Sequence, residues 1–494
     1  MEWIAKLIPE LWLSINILFF LGFLGICKSR DDFLSLYNLF IFSCMVLVGT
    51  VFYQLFLLDG SNLSLYINDM FIYSNGFFEL ISKLFISIVS IFIAIMFGVY
   101  FRGGDERFSH LYFRPDILPL FLIVILGSFA MVSSNDFLTF LIGFELVAVP
   151  SYFMIAMDNK NKQALEGSIK YFLIGSLSTI SLIISILIFY LYSGSLVFSA
   201  NLSLLGLNLW GVKAAFIFLL VGFLIKLAAF PFSFWIQDAY YASRSPYLLV
   251  ISTLPKLSVL IIFLKILSHI HDNYILEVLG VFSIVSMIVG TFWALTSTNL
   301  KKILAFSTIA NVGYILIPFY SWGSSMAFNS QAIAINYFYI LQYVLSTILF
   351  ISVIIYLEEK YDSSDLEVLT GALNNSPVLV WFLVVSLVSL AGLPPTAGFV
   401  AKFLLFAYSY PSAPILVWTG IITSLISLYF YYRIAQYLYV KGNSSKKTKI
   451  ELGFLQTFSN SLLSVIIILI GFLPWFVINI IYFVSFSLFD NLGF

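Results

Sequence analysis

The chain has 494 residues, 61% of them hydrophobic and 10% charged, with a mean hydropathy of +1.03 and a formal net charge of zero. A soluble protein of this size carries roughly a quarter charged residues, so the composition describes a polytopic integral membrane protein. It leaves no room for a large soluble domain, and the absence of net positive charge argues against nucleic acid as a partner.

Segments of about twenty apolar residues, the length that spans a bilayer, are separated by short polar interruptions. About fourteen are expected, at 8–27, 36–58, 77–101, 115–133, 136–157, 164–193, 212–238, 246–268, 274–298, 302–321, 330–357, 376–408, 412–437 and 460–486. The N-terminus, Met1-Glu2-Trp3-Ile4-Ala5-Lys6, is neither a basic signal-peptide region nor an Arg/Ser-rich transit peptide, so the first apolar segment reads as a retained helix. The longest polar interruption, Asp59 to Gly76, is too short to bury a core, and strands have no part in this reading.

Lys and Arg give the orientation. Loops after odd-numbered spans carry Lys28, Arg30, Arg102, Arg107, Arg114, Lys160, Lys162, Arg244, Lys301, Lys302, Lys360, Lys441, Lys446, Lys447 and Lys449. Loops after even-numbered spans carry little besides Lys213. The positive-inside rule puts the odd loops on the matrix or cytoplasmic side and both termini on the other.

Phosphate-binding glycine loops and the H-E-x-x-H pattern are absent from the sequence, so no nucleotide, flavin or metal chemistry is visible in it. Cys27 and Cys44 lie in hydrophobic segments without neighbouring ligand residues, which leaves zinc, iron–sulfur and disulfide readings without support. Phe (53) and Tyr (29) are abundant and Ala is sparse, the bias of an AT-rich genome such as an organelle's. On that basis a mitochondrial inner membrane is expected, with a bacterial plasma membrane as the alternative.

Four ionisable residues sit deep in the predicted spans: Glu145, Lys226, Lys256 and Lys402. A lone charge near the bilayer centre costs at least about 3 kcal/mol on insertion scales, so each asks for a function. Each has a proline within eight residues, and Pro150, Pro231, Pro255, Pro394 and Pro395 are read as helix breaks that open toward a cavity. The bland alternatives are a snorkelling lysine, the account preferred for Lys83 and Lys265, and a neutral carboxylic acid hydrogen-bonded between helices for Glu145. Lys170, nearer the start of its span, divides between snorkelling and a relay role. Burial disfavours a charged group and pairing favours it, so a Glu–Lys pair whose separation changes is a proton switch. On this reading Glu145 governs the proton on Lys226, and Lys256 and Lys402 continue the relay through water. With no redox motif in the chain, the driving energy must come from a partner.

The seventh and twelfth spans run in opposite directions, five apart, and both are broken beside a buried lysine. That is the pattern of inverted repeats in transporters. The expected fold is therefore an all-α polytopic membrane protein with two inverted five-helix repeats and discontinuous spans seven and twelve. The expected divisions are an N-terminal three-helix segment over 1–114, repeats over 115–268 and 269–437, and a C-terminal loop and helix over 438–494.

Several blocks resemble the antiporter-like proton-pumping subunits of respiratory complex I, in particular subunit 2 (bacterial subunit N). They are Ile8-Pro9-Glu10, Gly143-Phe144-Glu145-Leu146, the run from Leu165 through Lys170 to Ser176, Lys226 through Trp235, Leu254-Pro255-Lys256, Asn299 through Tyr314, and Leu390 through Phe403 with its Leu393-Pro394-Pro395-Thr396-Ala397-Gly398-Phe399 core. The resemblance covers nearly the whole chain. It implies a membrane-arm subunit of NADH:ubiquinone oxidoreductase, a proton-translocating enzyme complex, which pumps protons while quinone is reduced elsewhere. By position it implies that Glu145 and Lys226 form a charge pair, that Lys256 connects the halves, and that Lys402 exchanges protons with the outer side. It implies no cofactor in this chain. NADH, FMN, iron–sulfur clusters and ubiquinone would belong to partner subunits, and the partners would be other membrane-arm subunits and membrane lipids. A Mrp-type Na⁺/H⁺ antiporter subunit, sharing the middle blocks, is the alternative. Ser233 and Asn311 stand where the family commonly has histidines, so a histidine relay is unavailable there. Arg244-Ser245-Pro246 replaces the usual small-residue turn. His110, His269 and His271 fall in or near loops and are read as solvated.

Overall fold

A computed structural model of the chain describes residues 6–24, 30–57, 63–67, 70–102, 114–158, 161–204, 209–267, 273–320, 326–370, 376–439 and 453–490. Nearly all of it is helix, because a chain in hydrocarbon has no water for its N–H and C=O groups and must satisfy them within each segment. The helices are α1 (Ile8–Phe23), α2 (Arg30–Phe56), α3 (Phe77–Arg102), α4 (Ile117–Ser133), α5 (Phe137–Ala156), α6 (Lys162–Ser193) and the short α7 (Phe198–Leu202). There follow α8 (Trp210–Leu227), α9 (Phe234–Ala242), α10 (Ser245–Leu267), α11 (Asn273–Thr296), α12 (Leu300–Tyr320) and α13 (Met326–Tyr361). The chain closes with α14 (Pro377–Ala391), α15 (Ala397–Ser409), α16 (Pro414–Tyr439), α17 (Phe454–Phe472) and α18 (Pro474–Asp490). Among the described residues 11 helices are long and apolar enough to cross a membrane, with four shorter apolar ones beside them.

Each predicted span coincides with one helix or with a broken pair. The seventh is α8 and α9, and the twelfth is α14 and α15. In both, the first half closes the same way. Ala228 (φ 62°) and Gly392 (φ 80°) turn left-handed, and the next N–H reaches back five residues, Ala229 to Leu224 at 2.9 Å and Leu393 to Val388 at 3.0 Å. This is the Schellman closure, which satisfies carbonyls that a helix end would otherwise leave bare. Pro231 and Pro394-Pro395 follow immediately and keep the helix from resuming.

Pro150 and Pro255 behave differently from expectation. They lie inside α5 and α10, which run on through them. Every residue of α10 is buried, so neighbouring helices enclose the place where one ladder bond is missing. The last span also departs from expectation: it is two helices, parted at Leu473, because Pro474 has no N–H with which to extend α17 and suits the start of a new helix.

The interruption between α2 and α3 holds a hairpin, β1 (Leu63–Ile67) paired with β2 (Met70–Asn75), where no strand was expected. Its Tyr, Ile and Phe residues favour extended backbone, and the run is too short to form a span. The hairpin delivers Tyr73, Ser74 and Asn75 to a buried polar cluster. There Lys83 donates to Glu10 Oε1 at 2.5 Å, to Asn75 Oδ1 at 2.5 Å and to the Tyr73 hydroxyl at 3.1 Å. Lys265 pairs with Glu79 at 2.7 Å. Both lysines are buried, so the snorkelling reading fails for each; their carboxylate partners, Glu10 and Glu79, lie 73 and 186 residues away in the chain.

At the centre α10 packs against α3, α4 and α13. Beside it α4 and α5 cross closely because both present glycine. A Cβ on Gly143 would lie 2.8 Å from the Met131 nitrogen and 2.9 Å from the Gly127 carbonyl, so the crossing needs the bare backbone.

Candidate functional site: a chain of buried lysines

Lys226 lies in the last turn of α8, 3% exposed, where the Schellman closure turns the chain aside. Its ammonium faces three rings, with Phe144 at 5.0 Å, Tyr152 at 5.1 Å and Tyr171 at 5.2 Å from Nζ to the centroids. Nζ has no hydrogen-bond partner among the described residues. A cation over a desolvated ring gains about 0.5–2 kcal/mol, so three rings together are of the same order as the insertion cost of about 3 kcal/mol. The rings therefore offset part of the cost of holding an ammonium there, with no ion pair to Lys226 among the described residues. Tyr171 in turn stacks on Trp235 of α9, and the Trp235 indole N–H donates to the Ile225 carbonyl at 3.0 Å.

Glu145, half-buried on α5, accepts from the Thr179 hydroxyl of α6 at 2.5 Å and makes no ion pair with Lys226. The expected Glu145–Lys226 ion pair is thus not formed in this structure. Phe144, beside Glu145 in the chain, is part of the lysine cage, so a turn of α5 moves carboxylate and ring together.

Lys256, on the fully buried α10, donates to the Tyr240 hydroxyl of α9. Tyr240 also meets Thr308, whose hydroxyl shares a 2.8 Å hydrogen bond with Tyr343. One turn further along α12, Asn311 accepts from the Tyr339 hydroxyl at 2.7 Å. Another turn on, Tyr314 donates to Thr423 at 3.2 Å and lays its ring 5.0 Å from the Lys402 ammonium. Thr308, Asn311 and Tyr314 are spaced by three, so they share one face of α12 and cover about 9 Å along its axis.

Lys402, on α15 and 5% exposed, donates to the Ala391 carbonyl at 2.9 Å and to Ser424 at 3.1 Å. That carbonyl is available because the chain leaves α14 at Gly392. The Lys402 stem passes so close that a Cβ on Gly392 would lie 2.6 Å from its Cδ. Lys402 and Ser424 line a cavity of about 440 Å³, otherwise walled by apolar residues such as Leu393, Phe403 and Phe406.

Lys226, Lys256 and Lys402 are thus each buried beside tyrosine rings or hydroxyls, with Glu145, half-buried, on the α5 helix that supplies two of the rings facing Lys226. Lys170 stands apart: about half exposed, it pairs with Glu166 and Asp238 at 2.7 Å each. Ser233 is buried, and its hydroxyl has no hydrogen-bond partner among the described residues. Reading the sequence alone missed Tyr152, Tyr171, Tyr240, Thr308, Tyr343 and Tyr339, whose positions depend on helix packing; only the spacing of Thr308, Asn311 and Tyr314 was there to be seen. Cys27, His110, His269 and His271 lie outside the described residues, and among the described residues no group of three His, Cys, Asp or Glu side chains could hold a metal ion.

Comparison with known proteins gives a consistent result. Residues 134–427 match the family model described as NADH:quinone oxidoreductase/Mrp antiporter, transmembrane. NADH-quinone oxidoreductase subunit N of Methylovorus glucosotrophus (strain SIP3-4) is 32% identical over 337 residues, 66% of this chain and 68% of that one. Subunit N of Pelagibacter ubique (strain HTCC1062) is 30% identical over 442 residues, covering 88% and 89%. A solved chain of respiratory complex I from Thermus thermophilus, with bound aureothin, superposes with a TM-score of 0.75 over 95% of this chain and 98% of that one at 22% identity, a likeness of fold.

Proposed function

The chain belongs to the NADH:quinone oxidoreductase/Mrp antiporter family, and from that premise we propose how it works as a proton-translocating membrane-arm subunit of NADH:quinone oxidoreductase. It is a multi-pass membrane protein whose partners are the other membrane-arm subunits. Its relatives named above are bacterial, which fits the plasma membrane set beside the mitochondrial one as an alternative. NADH, FMN, iron–sulfur clusters and quinone are held by other subunits on this reading, and quinone reduction there supplies the energy. Residues 115–268 and 269–437 form the two inverted five-helix units, between 1–114 and 438–494; the matching closures at Ala228 and Gly392 support that division.

One observation carries the assignment of roles. Lys226, Lys256 and Lys402 are buried, and each ammonium is held by rings, hydroxyls or a carbonyl, with no carboxylate ion pair for any of them among the described residues. A carboxylate would lock the proton on; hydroxyls and rings let it be exchanged. Approach of Glu145 to Lys226 favours the ammonium. Return of Glu145 to Thr179 leaves only the aromatic cage, and the proton passes through water toward Lys256. From Lys256 the hydroxyls of Tyr240, Thr308 and Tyr343, then Asn311 and Tyr314 with water between them, lead to Lys402. Each hydroxyl donates one proton as it accepts another, so the chain returns to its starting composition after every transfer. Neighbouring subunits bias the position of Glu145, which makes the stroke a population shift driven from outside the chain.

The test is the number of protons exported per electron by the assembled complex in vesicles. Lys226→Ala lowers that ratio while the complex still assembles; an unchanged ratio removes Lys226 from the path. The Mrp-type alternative is separated by purification, since a subunit of the oxidoreductase co-migrates with a large NADH-oxidising assembly.

A further inference from the structure

Ser243 and Arg244 join α9 to Ser245, the first residue of α10, and both five-helix groups grip these three residues. From the first group, Asp158 at the end of α5 accepts from Arg244 Nε at 3.1 Å. From the second, Asp362 just after α13 accepts from Arg244 Nη1 at 2.7 Å. Glu358, in the last turn of α13, accepts from the Ser245 backbone N–H at 2.8 Å and from the Lys301 ammonium. Lys301, in the first turn of α12, donates to the Ser243 carbonyl at 2.7 Å. Asp158 and Lys301 are buried, so the Arg244–Asp158 and Lys301–Glu358 pairs are shielded from solvent screening, whereas Asp362 reaches Arg244 from the exposed side.

What is held there is a rod of nine residues. The segment that leads into α9 is tethered too, four residues ahead of the helix, where the Phe230 N–H donates to Ser286 of α11 at 3.0 Å. Along its length α9 carries Trp235, stacked on the Tyr171 ring of the Lys226 cage, Asp238, paired with Lys170, and Tyr240, which accepts from Lys256. A displacement of the rod changes the surroundings of Lys226 and Lys256 together.

We propose that Arg244 is a positioning residue: by joining Asp158 to Asp362 across the two groups, it fixes α9 in the register that sets Lys226 and Lys256 relative to one another. Lysine does not replace it fully, because a point-like ammonium lacks the guanidinium fork that presents Nε and Nη1 to two carboxylates at once. The inference rests on the relay reading above and adds the device that keeps two of its members in step.

The experiment measures protons exported per electron in the assembled complex in vesicles, a ratio that does not depend on how much complex is recovered. Arg244→Ala lowers the ratio to the level of the Lys256→Ala complex, Arg244→Lys restores part of it, and the exchange Asp158→Arg with Arg244→Asp restores more than either single change retains. Should Arg244→Ala fail to assemble, Asp362→Asn, at an exposed carboxylate, lowers the ratio in a complex of normal abundance. A clamp with only a structural role gives less complex at an unchanged ratio, and that result overturns the proposal. If Lys256→Ala lowers the ratio and neither Arg244→Ala nor Asp362→Asn does, the clamp fails and the relay stands. If Lys256→Ala also leaves it unchanged, the relay fails as well.

Discussion

Tyr171 lies flat against Trp235, with ring centroids 4.4 Å apart and planes 14° apart. One ring closes the cage around Lys226; the other belongs to the half-span after the break and is pinned by its indole N–H to the Ile225 carbonyl, one residue before that lysine. The break in the seventh span therefore does not loosen the lysine: the second half of the span folds back to hold the end of the first.

The stack separates two kinds of loss at Trp235. Trp235→Phe keeps a ring against Tyr171 and removes the N–H, costing about 1 kcal/mol for one net hydrogen bond. Trp235→Ala empties a buried site and costs about 3–5 kcal/mol. Thermal unfolding of the purified complex, monitored for this subunit, is expected to rank wild type, Phe and Ala in that order; equal effects would show that the ring contributes nothing beyond its N–H.

Tyr240→Phe keeps the ring and removes the hydroxyl that accepts from Lys256 and meets Thr308. A buried group left without its partner costs about 1–3 kcal/mol, and the proton route loses a link. Proton export per electron is expected to fall, with only a small loss of the complex. A ratio equal to wild type would mean that water alone carries the proton past this point.

Gly392→Ala tests the other break. The new Cβ would meet Lys402 Cδ at 2.6 Å, and the left-handed backbone, φ 80°, costs a non-glycine residue about 1–2 kcal/mol. The lysine stem must move away, so its ammonium leaves the Ala391 carbonyl. We expect pumping to fall more than stability does, as read by proton export beside thermal unfolding of the same complex. Full pumping would show that Lys402 works without that contact.

The Glu10–Lys83 pair makes a stability prediction. Lys83 is fully buried, and removing one member of such a pair costs about 3–5 kcal/mol because it strands the other charge. Lys83→Met alone is expected to destabilise the subunit strongly. Lys83→Met combined with Glu10→Gln is expected to cost less, since no charge is left behind. A double variant as damaged as the sum of the single ones would show that the two residues do not act as a pair.

Much of the architecture was legible in the sequence. Apolar runs of spanning length mark helices because hydrocarbon permits little else, and lysines inside such runs mark sites because charge is expensive there. Proline was a weaker signal. Pro231 and Pro394-Pro395 follow a left-handed residue at the close of a helix, whereas Pro150 and Pro255 sit within helices that continue through them. Local sequence cannot tell these apart, because the outcome depends on what packs around the missing bond.

From the sequence alone came the membrane class, the spans, the two broken ones, and the residues Glu145, Lys226, Lys256 and Lys402. Each of these follows from properties carried along the chain: hydropathy over a window, the cost of a buried charge, the spacing of breaks. The tertiary structure alone decided what each charge touches. It set Lys226 among three rings from α5 and α6, kept Glu145 on Thr179, gave Lys256 to Tyr240, and turned Lys83 and Lys265 from snorkelling side chains into buried ion pairs. Contacts of this kind join residues from about ten to almost two hundred positions apart, and only the packing of helices brings such partners within the few ångströms at which rings, hydroxyls and carboxylates act on an ammonium.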